Sequence, residues 1–293
     1  MAEGTRLLSE WVANTASRVQ IPVSPPFWFR RRATMLLAID VGNTNIVCGL
    51  FDGTVLRDSW RLTTDRGKTA DEYSVFIRSL FQFSDVQLGD VESVVLASVV
   101  PPLTPIMRRL VDRMFHLQPL MISTALNTNI TWEVESPSEM GADRIADCVG
   151  GYMKYGGPCI IIDLGTATTF NFVSGDGRYL GGSIAPGLLN SSESLFTKTA
   201  KLPRIELERP ATSLGIDTIT QMQVGVVWGM VFMVDGMIQR IRQDAGCPDA
   251  RVILTGGLSG VVVPGLQTKC VYDPNLTLDG LRILFELNRG RTE

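Results

Sequence analysis

Two stretches of the chain place an aspartate, a glycine and a threonine where an apolar run ends. In LLAIDVGNTNIVCGLFDG these are Asp40, Gly42 and Thr44, with Asn43 between; in CIIIDLGTATTFNFVSGDG they are Asp163, Gly165 and Thr166, with Thr168 beyond. Each is followed by a second apolar run and a turn, the pattern of a β-hairpin. One such turn is an ordinary hairpin. Two of them, a domain's length apart, read as a pair of turns facing each other across a cleft. Glycine allows close approach of backbone to a ligand, and the flanking amides and hydroxyls can donate to phosphate oxygens. An aspartate beside phosphates repels them unless a cation lies between. Asp40 and Asp163 therefore imply a hard, oxygen-seeking ion, Mg²⁺ or a monovalent cation.

Two further motifs stand with them. In PSEMGADRIADCV, Gly141 precedes Asp143 and Arg144 at the start of a helix. An acid in a first helical turn is favoured by the helix dipole; it is equally a place for a general base, with Arg144 able to pair with an anionic substrate. In RVILTGGLSG a strand runs into Gly256-Gly257. Alone, that is a strand–turn–helix connection; in a two-domain nucleotide fold it lets adenosine lie against backbone.

The elements that must hold these residues follow from hydrophobic period. MLLAID (35–40) reads as a buried strand, and NIVCGLFD and TVLRDSWRLTT continue the hairpin across Gly53. ADEYSVFIRSLFQF, TPIMRRLVDRMF and ADRIADCVGGYMKY read as helices, and VESVVLASVV, PLMIS and NITWEV as strands. The repeat of the Asp hairpin is far longer than a solenoid period. It predicts two similar α/β domains, residues 35–155 and 156–293. Residues 1–34 carry prolines and Arg30–Arg32 with no strand or helix period. They read as a disordered tail or an upstream-start artefact, with the fold beginning at Met35.

Composition narrows the classes. Apolar residues make up 45% and charged residues 19%, and the net charge is −3. That supports a sizeable core and no nucleic-acid footprint. Five cysteines without CxxC spacing give neither a disulfide framework nor a zinc site and fit reduced thiols in a cytoplasmic protein. His116 is the only histidine, so histidine-based triads have no material. No apolar run reaches the ~18 residues of a membrane span. VGVVWGMVFMV (224–234) reads instead as a helix buried on most faces, in a core or a subunit interface.

Six motifs, in order, give the chain a family resemblance. They are DVGNTN (40–45), GADR (141–144), DLGTATT (163–169), GGSIAPG (181–187), TAKLP (199–203) and TGG (255–257). The chain resembles the acetate kinase/sugar kinase/heat-shock ATPase superfamily and, within it, the type III pantothenate kinases. The resemblance implies duplicated actin/ribonuclease-H-like α/β domains with mixed sheets and an inter-domain nucleotide cleft. It implies ATP-dependent phosphorylation of pantothenate, the entry step to coenzyme A. Asp40, Val41, Gly42, Asn43, Thr44, Asn45, Ile46 and Val47 would cradle the ATP phosphates, with Asp40 on the Mg²⁺ side. Thr166 would hold phosphate from the other domain, and Asp163 would sit by K⁺ or NH₄⁺. Asp143 would be the general base, and Gly141, Ala142 and Arg144 would join it in binding pantothenate. Thr218 would reach that substrate across the interface of a homodimer with a shared active site.

The chain departs from the family pattern at several positions. Val134 stands where a tyrosine often contacts pantothenate, Asp217-Thr218 replaces Asn-Thr, Gln223-Val224-Gly225 replaces Gln-Ser-Gly, and Asn171 replaces an aspartate. Val134 offers apolar contact without a hydroxyl, and the Asp217 carboxylate would oppose an anionic substrate unless neutralised. Two other readings stand beside the kinase: a non-catalytic relative acting as an accessory factor in transcription, and a sugar or acetate kinase of the same superfamily. The retained Asp40, Asp143, Arg144 and Asp163 disfavour the first, and the lack of a long sugar-binding insertion disfavours the second.

Overall fold

The expected duplication is visible in the strand order of two sheets. The computed structural model describes residues 34–290; the extension expected over 1–34 lies outside them, apart from Thr34. The first sheet holds β1 (Met35–Val41), β2 (Asn45–Asp52), β3 (Val55–Thr63), β4 (Val91–Ser98) and β5 (Leu120–Met121), in the order β3-β2-β1-β4-β5. Helices α1 (Ala70–Phe81) and α2 (Thr104–Phe115) belong to this half. The second sheet takes in β6 (Thr131–Trp132), and α3 (Ala142–Tyr155) leads into β7 (Cys159–Leu164), β8 (Ala167–Val173) and β9 (Arg178–Pro186). After α4 (Leu188–Lys198) and α5 (Thr218–Asp244) come β10 (Arg251–Thr255), β11 (Val271–Tyr272) and α6 (Leu276–Asn288). The second order is β11-β10-β7-β8-β9-β6. Both sheets thus contain an antiparallel three-strand meander whose first strand is joined in parallel by two later strands. Only β6, added to the free edge of β9, breaks the correspondence.

Strand alternation sends residues to two cores. Leu36 and Ala38 of β1, Cys159 and Ile161 of β7 and Ile253 of β10 share one cluster with Ile145 and Val149 of α3 and Leu281 and Leu284 of α6. Ile160, Ile162, Val252 and Leu254 point the other way, onto Val227, Val231, Val234 and Ile238 of α5. Each Leu, Ile or Val among them contributes about 1.5–3 kcal/mol on burial. This explains why CIIID and RVILT read as unbroken apolar runs: both faces of those strands are covered.

Helices α3 and α6 pack backbone to backbone. A Cβ on Gly280 would collide with the Ala146 carbonyl, and one on Gly150 would stand 2.8 Å from the Leu276 oxygen. Glycines at both positions set the depth at which the two helices lie, and with it the position of the α3 N-terminus that carries Asp143.

The apolar segment 224–234 lies within one continuous 27-residue helix, α5, with a π-helical stretch at Val224–Trp228. The helix is long and apolar enough to cross a membrane by length and composition, a property that core helices share. One side enters the core; on the other, Ile219 and Phe232 are exposed.

Candidate active site

The two Asp turns face one another, as the sequence pattern predicts. At the first, the Gly42 amide donates to the Asn45 carbonyl at 3.0 Å, and Thr64 pins the turn by donating from Oγ1 to the Gly42 carbonyl at 2.7 Å. At the second, the Gly165 amide donates to the Ala167 carbonyl at 3.1 Å. Asn190 donates to the Thr166 carbonyl at 2.8 Å. A Cβ on Gly187 would lie 2.5 Å from the Gly165 and Thr166 oxygens, so the end of the GGSIAPG motif serves as the floor of this turn. Across the gap, the Thr44 and Thr166 hydroxyls are hydrogen-bonded at 2.7 Å.

Behind the turns opens a cleft of about 630 Å³, lined by Asp40, Asn43, Asp143, Asp163, Thr166 and Gly256 among others. It lies where the parallel strands β1, β7 and β10 end, the usual ligand position in such sheets. The glycine turn after β10 abuts Asp163: Gly256 has φ +96°, and a Cβ there would collide with the Asp163 carboxylate.

The cleft is strongly acidic. Burial, then repulsion from Asp143 and Asp163, pushes Asp40 up to about 8, against a lowering pull from Arg61. Burial and Asp143 push Asp163 up to about 7, again opposed by Arg61. Burial also raises Asp143, offset by the Arg144 amide, which donates to its Oδ1 at 2.7 Å. Asp40 Oδ1 is buried with no hydrogen-bond partner. An orphaned carboxylate oxygen amid like charges is the environment that calls for a cation. Among the described residues no three His, Cys, Asp or Glu side chains converge as a metal cage.

The expected site residues divide. Asp40, Gly42, Asn43, Thr44, Asn45, Val47, Asp143, Asp163 and Thr166 line the cleft. Val41 and Ile46 are fully buried beneath the first turn. Gly141 caps α3, and Ala142 is buried behind Asp143. Arg144 is turned toward the second sheet: Nε and Nη2 donate to Asn171 Oδ1 at 3.0 and 2.9 Å, and Nη2 donates to the Tyr179 hydroxyl at 2.7 Å. With Asn171 in place of an aspartate, the guanidinium is anchored without being neutralised. Val134 packs against the core shared by the sheets. Thr218 is exposed at the start of α5, away from the cleft lining. Asp217 is the cap of that helix, accepting the Thr220 amide at 2.9 Å.

Two residues were missed by motif reading. Arg61, in WRLTT, reads only as strand, yet it lines the cleft. Asp147 lies one helical turn after Asp143; it is buried, bonded by the Thr277 hydroxyl at 2.6 Å, and pushed well up by burial and Asp163. The i,i+4 spacing in GADRIAD was its available signal.

A model of the type III pantothenate kinases matches residues 36–240. A type III pantothenate kinase from Moorella thermoacetica is 46% identical over 254 residues, covering 87% of this chain and 100% of the relative. The chain belongs to the type III pantothenate kinase family. Another member, from Geobacter sulfurreducens, is 44% identical over 256 residues, covering 87% of this chain and 100% of that protein. Among solved structures, a Campylobacter jejuni protein described as a Baf-family transcriptional activator matches with TM-score 0.54 at 19% identity, covering 86% and 98% of the two chains. A ROK-family glucokinase from Streptomyces griseus, in complex with glucose and AMPPNP, matches with TM-score 0.51 at 13% identity, covering 85% and 98%. Those two likenesses concern the fold. For this member of the pantothenate kinase family they agree with the mixed α/β fold of two sheets.

Proposed function

We propose that the protein transfers the γ-phosphoryl group of ATP to the primary hydroxyl of pantothenate, the first step toward coenzyme A. Family membership and the joined Thr44–Thr166 turns over an acidic cleft support this reading. Phosphoryl transfer asks for positioned phosphates, neutralised charge and an oriented nucleophile. The backbone of residues 40–47 and Thr166 hold the phosphates from two sides. Bound Mg²⁺, held on the Asp40 side, supplies charge neutralisation of the phosphates. Asp163 holds a monovalent cation, K⁺ or NH₄⁺.

Asp143 orients the pantothenate hydroxyl and takes its proton. The hydroxyl oxygen bonds to the γ-phosphorus, the bond from that phosphorus to the bridging oxygen breaks, and ADP leaves. The carboxyl of Asp143, raised by burial, is a better proton acceptor than an exposed aspartate. Arg144, held by Asn171 and Tyr179 with no ion pair among the described residues, keeps its charge for the substrate carboxylate. Thr218 contributes to the site of a second protomer in a homodimer. The exposed apolar side chains of Leu214, Ile216, Ile219 and Phe232 support that assembly.

The test is ADP release by purified protein supplied with pantothenate, glucose or acetate, each with and without K⁺ or NH₄⁺. The expected result is turnover with pantothenate, accelerated by the monovalent cation. Turnover with glucose or acetate in place of pantothenate overturns the substrate assignment, and equal rates without either cation overturn the role of Asp163.

A further inference from the structure

Arg61 is the only lysine or arginine lining the cleft among the described residues. Its place is set by strand register. Arg61 pairs with Val47, and Val47 pairs with Asp40, so the three side chains form a row on one face of the first sheet. Strands are spaced about 4.8 Å apart, which puts Arg61 two strands, about 10 Å, from Asp40. From there the guanidinium reaches the second sheet. A Cβ on Gly257 would lie 3.0 Å from Arg61 Nη1, so the fork rests against the glycine turn after β10. That turn and the turn between β1 and β2 line the same cleft as Arg61.

Among the described residues nothing consumes its donors. Arg61 forms no ion pair with Asp40 or Asp163, although both feel its charge. No described residue accepts a hydrogen bond from it; other guanidiniums of the molecule, such as those of Arg144, Arg178 and Arg242, are bonded. A guanidinium presents five donors in a planar fork that matches phosphate oxygens. The gap between Arg61 and the carboxylates is the place where an anion with its counter-ion would sit.

We propose that Arg61 binds the α,β-diphosphate of the nucleotide, in ATP and in the product ADP, and thereby selects nucleotide di- and triphosphates over adenosine. The proposal rests on the nucleotide reading of the cleft. It is tested by calorimetric titration of ADP and of adenosine, at fixed Mg²⁺, into the wild type, Arg61→Met and Arg61→Lys. Loss of a hydrogen bond to a charged group predicts at least about tenfold weaker ADP binding in Arg61→Met. Adenosine affinity stays unchanged, and Arg61→Lys falls between. The same tenfold loss is expected when Arg61→Met is made in an Asp163→Asn background. Unchanged ADP affinity overturns the proposal, as does an equal loss for adenosine, which would make Arg61 a prop for the glycine turn. Disappearance of the loss in the Asp163→Asn background also overturns it, since Arg61 would then only offset a carboxylate. A wild type that binds no ADP defeats the nucleotide reading itself; a wild type that binds ADP, with Arg61→Met its equal, defeats this proposal alone.

Discussion

At the scale of residues, the cleft is a set of buried carboxylates whose charged forms are disfavoured by desolvation and by one another. Asp40 at about 8 and Asp163 at about 7 both lie above the ordinary value of 3.8. The folded chain therefore holds more protons than the unfolded chain across that window. The stabilising contribution is complete below about pH 4 and is lost as pH rises through about 7 to 8. Calorimetry of cation-free protein is expected to show Tm falling between about pH 5 and pH 8, with a shallower fall in Asp40→Asn. Mg²⁺ is expected to raise Tm more at pH 8 than at pH 5, because it binds the deprotonated carboxylate. A Tm that climbs with pH over this range in the cation-free protein contradicts the burial and repulsion described for these groups. Asp40, Asp143 and Asp163 were legible because each ends or opens an element within a short motif. Asp147 and Arg61 were not. Their meaning depends on a neighbour far away in sequence, Thr277 for one and the Asp40 row for the other.

At the scale of elements, the hairpins and the longer helices were legible from period and punctuation. Predicted helices at ADEYSVFIRSLFQF and ADRIADCVGGYMKY correspond to α1 and α3 within two residues at either end. The strands read at PLMIS and NITWEV are present as β5 and β6, though only two residues of each pair; β11 was not legible, because its pairing is decided by the sheet edge it meets rather than by its own pattern. VYD carries no strand signal until β10 lies beside it. The π-helical stretch in α5 has no pattern of its own either. Element packing gives the stability prediction. Gly280→Ala sets a methyl group against the Ala146 carbonyl and should cost about 1–3 kcal/mol or more, the range for overpacking. Urea unfolding measures this. Turnover should fall alongside, because α3 carries Asp143. An unchanged unfolding midpoint would show that α3 and α6 part without cost.

At the scale of the whole molecule, duplication was legible in the two Asp motifs, but the shared core was not. Helix α6, from the end of the chain, packs on β1, β2 and β4 of the first sheet as well as on α3. The closing helix thus joins both halves of the repeat around one cleft. The face of α5 that the second sheet does not cover carries Phe232, 58% exposed and stacked on Trp228 at 5.8 Å between ring centroids. Leu214 and Ile216 nearby in sequence are 81% and 93% exposed, an unusual display for a monomer. Sedimentation equilibrium is expected to give a dimer at micromolar concentration. Phe232→Glu should shift it to monomer and weaken pantothenate binding while ADP binding is retained. A monomeric wild type with full activity would remove the shared site.

At the centre stands the proposed reaction, phosphorylation of pantothenate in this cleft with Asp143 as the base. Its most direct measurement is the product itself, followed by ³¹P NMR on wild type and Asp143→Asn with ATP, pantothenate, Mg²⁺ and K⁺. One new phosphate monoester of pantothenate is expected for each ADP formed by the wild type. Asp143→Asn should form it at least about a hundredfold more slowly, the lower bound for losing a general base, while still binding both substrates. No pantothenate ester from the wild type, or an ester formed at full rate by Asp143→Asn, would contradict it.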